Sequence, residues 1–460
     1  VNTIVTTKGT PWRFLPLLCL LLVLLLGLYL RLGTATGTQV DRPIRNDAKD
    51  YVAYAWNLKI SGVYSSDPSA LIGSSVLTPQ PDAARPPAYP WLLRTMMGAR
   101  LDRSFLSRVC YAQAWIAEAT LLCATLLAME LVGVWAGLIL GLLVALSPHQ
   151  SIYVAYLLTE TTFGGVVVLA TGAAVLALRS NQPHWRLMFS CCAGILFGLS
   201  CLTRPTLDQW PFALVFMLLW PSIRRFRGEI IALVLGFILM MSPWWLRNEI
   251  TLHRMSDPGK MIETLHDGSY PNFRYEDRPE TFGYPYSFDP NTPRAVSSLS
   301  GIFEDLRIKF TSNPVEMVNW YLFGKVAYFF HWSPPDGWAD MFTYPVLRSP
   351  WLTSTIFIII TSVMLSLYTP LIIFGLLGTC VAFLSRTKIL FGSVKADGIR
   401  FVALLHLFAI GVHVMGAPFA RYSVPFRPIT FLLAIFLMVW IYRSYYVGKQ
   451  SSVVDTVDNA

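Results

Sequence analysis

The residues of this chain that could do chemistry stand in short clusters beside apolar runs. After the first run come Asp47-Ala48-Lys49-Asp50-Tyr51, then Ala55-Trp56-Asn57-Leu58, then Arg85-Pro86-Pro87-Ala88-Tyr89-Pro90. Asp47 and Asp50 are spaced to share one face of a helix, and an ionised carboxylate beside apolar walls can take a proton from a hydroxyl. Asp47 equally suits the first turn of a helix, where the dipole favours an acid, with Asp50 simply solvated. Arg85 precedes two prolines that stiffen the backbone and remove two amide donors. A guanidinium held there suits a phosphate, through bidentate charge-assisted bonds, or a pairing with Asp82. Further arginines recur in Thr203-Arg204-Pro205, Trp244-Trp245-Leu246-Arg247-Asn248 and Ala420-Arg421-Tyr422-Ser423-Val424-Pro425. Glu160, after Thr159, is an acid at the end of an apolar run: a functional candidate by its cost in a membrane, or a plain helix-start acid.

What must position these groups is a set of membrane helices. Of 460 residues, 54% are hydrophobic and 14% charged, which excludes an ordinary soluble domain. The longer apolar runs reach the roughly 20 residues that a bilayer crossing needs, and their continuity excludes a barrel, whose strands alternate. The first run lacks a small-residue cleavage site and reads as a retained anchor rather than a signal peptide. The net charge of +9 reflects loop topology, not nucleic-acid binding. Lys8, Arg13, the cluster Arg224-Arg225-Arg227, the group Arg386, Lys388, Lys395 and Arg400, and finally Arg443 and Lys449 all fit one cytoplasmic side.

That threading places helices over Phe14–Leu32, Phe105–Leu131, Val134–Leu146, Thr159–Leu178, Leu187–Leu202, Gln209–Trp220, Glu229–Leu246, Phe401–Met415 and Thr430–Tyr442. Trp351–Leu384 is one tilted helix, or an interfacial segment plus a helix with Pro370 as a break. The total is about ten crossings, within roughly eight to thirteen. The expected organisation is residues 1–32, N-terminus and first helix; 33–104, outer catalytic loop; 105–246, helix bundle; 247–350, a large outer loop covering the cavity and meeting the acceptor; 351–443, C-terminal helices; and 444–460, a cytoplasmic tail. Residues 451–460 are polar and expected to be disordered. The amphipathic stretches 47–60, 88–97 and 313–332 are expected at the membrane surface.

The seven cysteines lie in or beside apolar runs without a paired spacing, and read as packing residues. The histidines show no metal-ligand spacing. His149, His253, His266 and His331 fall in outer loops, and no dedicated zinc site is expected. A divalent cation would have to use Asp47, Glu160, His149 or His331.

In order, Asp47, Tyr51, Asn57-Leu58, Gly62-Val63-Tyr64 and Arg85-Pro86-Pro87-Ala88-Tyr89-Pro90 resemble the first outer loop of GT-C glycosyltransferases that use polyprenyl-phosphate sugars, of the protein O-mannosyltransferase and aminoarabinose-transferase type. Thr159-Glu160, Thr203-Arg204-Pro205, Pro243-Trp244-x-x-Arg247-Asn248 and Arg421-Tyr422-x-x-Pro425 follow in that family's order, so the resemblance covers roughly Arg13 to Tyr442. It implies an all-α polytopic GT-C fold and an inverting sugar transfer at the outer face of a plasma (inner) membrane, or in the lumen of a eukaryotic endoplasmic reticulum. Asp47 matches the family's catalytic aspartate; Ala48 stands where a second acid often follows, leaving Asp50 or Glu160 for that role. Arg85 and Arg421, with Arg204 and Arg247, would bind the donor phosphate. Tyr51, Asn57, Tyr89 and Tyr422 would line the pocket. The donor would be a polyprenyl-phosphate sugar, undecaprenyl in a bacterial envelope. The acceptor would be a protein, lipid or glycan, with membrane lipids as the other partners. No organic cofactor is implied, and a divalent cation stays open. The competing readings are a lipid-linked saccharide transporter or flippase, and an O-antigen ligase or polymerase. Transport would favour charge running through the helices, and Glu118 and Glu130 stand isolated there.

Overall fold

Pro16 falls in the first turn of the first apolar run, where a missing amide costs nothing, and the leucines after it form α1 (Leu15–Gly37). In this computed structural model residues 14–71, 78–256, 258–335, 337 and 344–457 are described; Lys8 and Arg13 lie outside them. The first of the two long loops, called the outer loops after the expected threading, contributes α2 (Asn46–Ile60) and α3 (Ala88–Met96). A bundle follows: α4 (Arg103–Val132), α5 (Val134–Leu146), the short α6 (Pro148–Ile152), α7 (Glu160–Arg179), α8 (Pro183–Thr203), α9 (Trp210–Met217) and α10 (Arg227–Leu252). The second outer loop carries α11 (Gly259–Asp267), α12 (Thr292–Ala295), α13 (Leu299–Ser312), α14 (Pro314–Asn319) and α15 (Lys325–Phe329). The chain ends through α16 (Pro350–Thr353), α17 (Thr355–Val381), α18 (Ser385–Phe391), α19 (Ser393–Met415) and α20 (Arg427–Val457).

Among the described residues eight helices are long and apolar enough to cross a membrane, or nine if the pair around Ser147, bent by 59°, is one span. The expected helix over Gln209–Trp220 is only the eight-residue α9; Pro211 falls in its first turn, where a proline is tolerated, and Pro221 lies just beyond the expected end. The chain nevertheless passes from one end of the bundle to the other there. Arg204 reaches Glu160 at the start of α7, whereas Ser222 and Arg225 lie by Ala174, Ala177 and Leu178 near its end. Trp351–Leu384 resolves as one turn and one long helix, in which Pro370 causes no break. Neighbouring helices support a proline at such depth. The tail expected to be disordered from Ser451 instead continues α20 to Val457.

Two charges expected to be isolated are paired. Glu118 accepts from Arg31 at 3.3 Å, with Arg31 fully buried, and Glu130 pairs with Arg179. Small residues let helices approach: a Cβ on Gly194 of α8 would overlap the Leu233 carbonyl of α10, and one on Gly236 of α10 would overlap the Cys191 carbonyl. Gly194→Val should therefore separate α8 from α10 and destabilise the purified protein by about 1–3 kcal/mol or more, read as a lowered midpoint in thermal unfolding. Gly172→Ala, with open space around its Cβ, should leave that midpoint unchanged or raise it slightly.

Candidate active site

The site is built on five stretches of chain that meet at one end of the bundle. Asp47 lies in the first turn of α2, where the backbone amides favour an anion. No side chain of its own caps this helix. The hydroxyl of Tyr344, from the far end of the second outer loop, does so instead: it accepts from the Ala48 amide at 3.2 Å and donates to the Arg45 carbonyl at 2.7 Å. The two outer loops are also stitched by an antiparallel pair, β1 (Gln39–Val40) with β2 (Val346–Arg348). Asp47 is thus fixed by residues some 300 positions away in the chain.

Two guanidiniums hold its carboxylate. Arg85 Nη2 donates to Asp47 Oδ1 at 2.6 Å, and Arg421 Nη2 donates to Oδ2. Arg85 also reaches Asp50 Oδ2, at 2.9 Å from Nη2 and 3.2 Å from Nε. Arg421 lies 3.8 Å from Glu160 Oε1, which accepts from Arg204 Nη1 at 3.1 Å. Arg204 in turn stacks over the Tyr422 ring at 3.6 Å, and Arg85 lies over Tyr51 at 5.4 Å. Three arginines and three carboxylates thus form one continuous network. Burial would by itself raise the Asp47 carboxyl, but Arg421 and Arg85 outweigh it and hold the group well below the usual carboxylate range.

The network has a closed side and an open one. Glu160 is 3% exposed and Arg421 7%, while the side chains of Asp47 and Arg85 keep 25% and 20%. Glu160 Oε2 is buried without a hydrogen-bond partner among the described residues, which leaves an acceptor for an incoming donor group.

Several residues expected in the pocket serve the scaffold instead. Asn57 is buried and donates to the carbonyls of Ser65 and Asp67 at 2.9 and 2.8 Å, bracing its own loop. Arg247 donates to the Asp82 carbonyl at 2.9 Å and the Tyr64 carbonyl at 3.3 Å, so it ties α10 to that loop rather than joining Asp47. Asp82 is spent on Tyr54 and Ser66 and leaves Arg85 to Asp47 and Asp50. Tyr89 is fully buried, donates to Gln113 at 3.0 Å and packs edge-on against Tyr51, supporting the tyrosine under Arg85.

The metal candidates are not gathered. His149 is buried against the Ser333 carbonyl at 2.7 Å and the Trp332 ring, and His331 follows Phe330 at the end of the second loop's helices. Among the described residues the one group with cation-holding spacing is His266, Asp289 and Asp305. Lys309 already lies 2.8 Å from Asp305, and Tyr270 donates to Asp289 at 2.7 Å. Tyr344, Gln113 and this polar cluster escape sequence reading, since each acts on a partner far along the chain or carries no motif of its own.

No family model and no curated protein matches the chain. Its fold is similar to that of two solved archaeal oligosaccharyltransferase structures from Archaeoglobus fulgidus. AglB in complex with an inhibitory peptide and a dolichol-phosphate is 14% identical over 96% of this chain and 52% of that one, at a TM-score of 0.51. The enzyme tethered with an acceptor peptide containing the NVT sequon is 14% identical over 95% and 50%, at 0.52. ArnT from Cupriavidus metallidurans bound to undecaprenyl phosphate is also 14% identical, over 92% and 78%, at 0.36, a likeness too loose to argue from. The shared feature is the fold, a polytopic all-helical architecture, and the chain spans about half the length of the oligosaccharyltransferases it matches.

The Asp47 clamp has a pH signature. A carboxyl lowered by folding contributes stability that is whole above its unfolded value, near 3.8, and is lost as pH falls toward the folded value. The stability gap between wild type and Asp47→Asn should therefore be constant from neutral pH to about pH 5 and shrink below about pH 4. Thermal unfolding of both proteins across that range checks this.

Proposed function

We propose that this protein is an inverting membrane glycosyltransferase of the GT-C type, moving a sugar from a polyprenyl-phosphate donor to a hydroxyl-bearing protein, lipid or glycan on the outer face of the membrane. The observation that carries this reading is the convergence of Arg85, Arg204 and Arg421 on Asp47, Asp50 and Glu160 at one end of that fold. The dolichol-phosphate on the similar archaeal structure supports a lipid phosphate as the anion.

The network contains as many arginines as carboxylates, so an added phosphate enters only by exchange. Arg85 and Arg421 turn part of their hydrogen bonding from Asp47 to the donor phosphate. That exchange serves both halves of the reaction. Fixed guanidiniums stabilise charge on the departing phosphate, and the loosened carboxylate recovers basicity, which matters because a base held far below working pH takes protons poorly. The acceptor oxygen then bonds to the anomeric carbon, its proton passes to Asp47, and the carbon–oxygen bond to phosphate breaks on the opposite face. The electron pair leaves with the polyprenyl phosphate. Such a leaving group needs charge stabilisation rather than a general acid, so a second carboxylic acid of the glycosidase kind is not required. The spare Glu160 Oε2 is placed to accept from a donor hydroxyl, and Tyr51 and Tyr422 support the arginines beneath.

Transfer from defined polyprenyl-phosphate sugars to candidate acceptors tests the reading. Asp47→Asn should lower turnover by about 10²–10⁴-fold. Arg85→Ala should weaken donor-phosphate binding as well as turnover. Full turnover by folded Asp47→Asn protein would remove Asp47 as the base, and undiminished binding by Arg85→Ala would remove Arg85 from the phosphate.

A further inference from the structure

The bundle carries a second ligand-sized feature at the end remote from Asp47. A cavity of about 300 Å³ lies between α7, α8, α9, α10 and α19. Its origin is legible in the residues. Ala174 and Ala177 of α7 face Ser190 of α8 with small side chains, and the short α9 supplies only Leu214 and Met217 where a full helix would fill the gap. The space holds roughly ten water-sized groups, and its walls are apolar apart from two serines and the charges at the mouth. Protein interiors do not leave such a volume unfilled, because its lining forfeits dispersion contacts. Water gains little from walls with few polar partners.

The mouth is charged and lies where helices end. Arg225 donates to both oxygens of Asp397, at 2.7 and 2.8 Å, and Arg400 reaches the same carboxylate at 3.5 Å. Glu229 is held by Arg186. Three arginines thus meet two carboxylates there, and Arg224 and Arg227 flank Arg225 in the chain. Arg225 keeps half of its side chain exposed (53%), consistent with a guanidinium facing a headgroup layer. An apolar slot under an arginine-rich mouth at a bundle end matches a lipid whose acyl chain enters the slot and whose phosphate meets the arginines.

We propose that this cavity is a binding site for one anionic phospholipid of the leaflet opposite the transfer site, with an acyl chain between Ala177 and Leu404 and its phosphate on Arg225 and Arg400. The bound chain would complete the packing that α9 is too short to supply. This inference stands apart from the transfer reading and needs no sugar chemistry.

Native mass spectrometry of protein purified in mild detergent tests it, with phosphatidylglycerol and phosphatidylcholine of identical chains titrated separately. Wild type should retain one phosphatidylglycerol at a concentration about tenfold below that needed for phosphatidylcholine, a difference of about 1.4 kcal/mol. Ala177→Phe, which fills the slot, should lose retention of both lipids. Arg400→Gln should retain lipid but bring the two concentrations together. Equal retention of the two lipids by wild type would overturn the proposal, as would unchanged retention by Ala177→Phe or displacement of phosphatidylglycerol by equimolar undecaprenyl phosphate. If Ala177→Phe does not fold, Arg400→Gln decides alone: an unchanged tenfold preference overturns the headgroup assignment.

Discussion

The constraint on which the rest of the structure depends is the sharing of Asp47 between Arg85 and Arg421. One arginine comes from the first outer loop and the other from the segment before the last helix. Charges withdrawn from water are tolerable only when paired and hydrogen-bonded, and removing one partner strands the other. The sequence therefore cannot bury Arg421 and Glu160 in the bundle without delivering Asp47 and Arg204 to them. The scaffold of the outer loops serves that delivery. Tyr344 caps α2 and orients Asp47, Tyr89 and Gln113 fix the ring beneath Arg85, and Asn57 and Arg247 brace the loop that presents Arg85.

The same pairing sets what the site can do. A carboxylate gripped at both oxygens stays ionised at neutral pH and is weakly basic, so by itself the resting arrangement favours charge over proton transfer. In the proposed reaction an entering phosphate competes first for Arg85 on the partly exposed side and then for Arg421 behind it, while Glu160 stays buried. Under the proposed function, ground-state neutrality becomes a gate: the anion that must be stabilised is also the one that frees the base. The spare Glu160 oxygen fits the same logic, as an acceptor held in reserve at the closed side.

Much of this was legible in the sequence, for physical reasons. Continuous apolar runs report helices directly: α4, α5 and α7 follow them closely, whereas α19 starts at Ser393, eight residues before the expected Phe401. Asp47, Glu160, Arg85, Arg204 and Arg421 were legible because charge beside an apolar run needs a reason. The stretch Gln209–Trp220 is apolar enough to suggest a helix over its whole length, yet only Trp210–Met217 forms one. Pro370 is a proline that neighbouring helices tolerate. Asn57 and Arg247 share the order of the motifs but not the site, since their hydrogen bonds close on backbone carbonyls that no spacing rule anticipates. Tyr344 was invisible for a different reason: its role exists only once two loops, distant in sequence, are laid side by side.

The most direct test of the central claim separates holding the phosphate from moving the proton. Binding of undecaprenyl phosphate to wild type and to Asp47→Asn can be measured by titration in detergent or nanodiscs. If Asp47 competes with the donor phosphate for Arg85 and Arg421, the Asn variant binds the lipid phosphate as tightly as wild type or more tightly, although it does not turn over. A variant that folds but binds the lipid phosphate tenfold or more weakly would contradict the exchange, and with it the account of how the site is switched on.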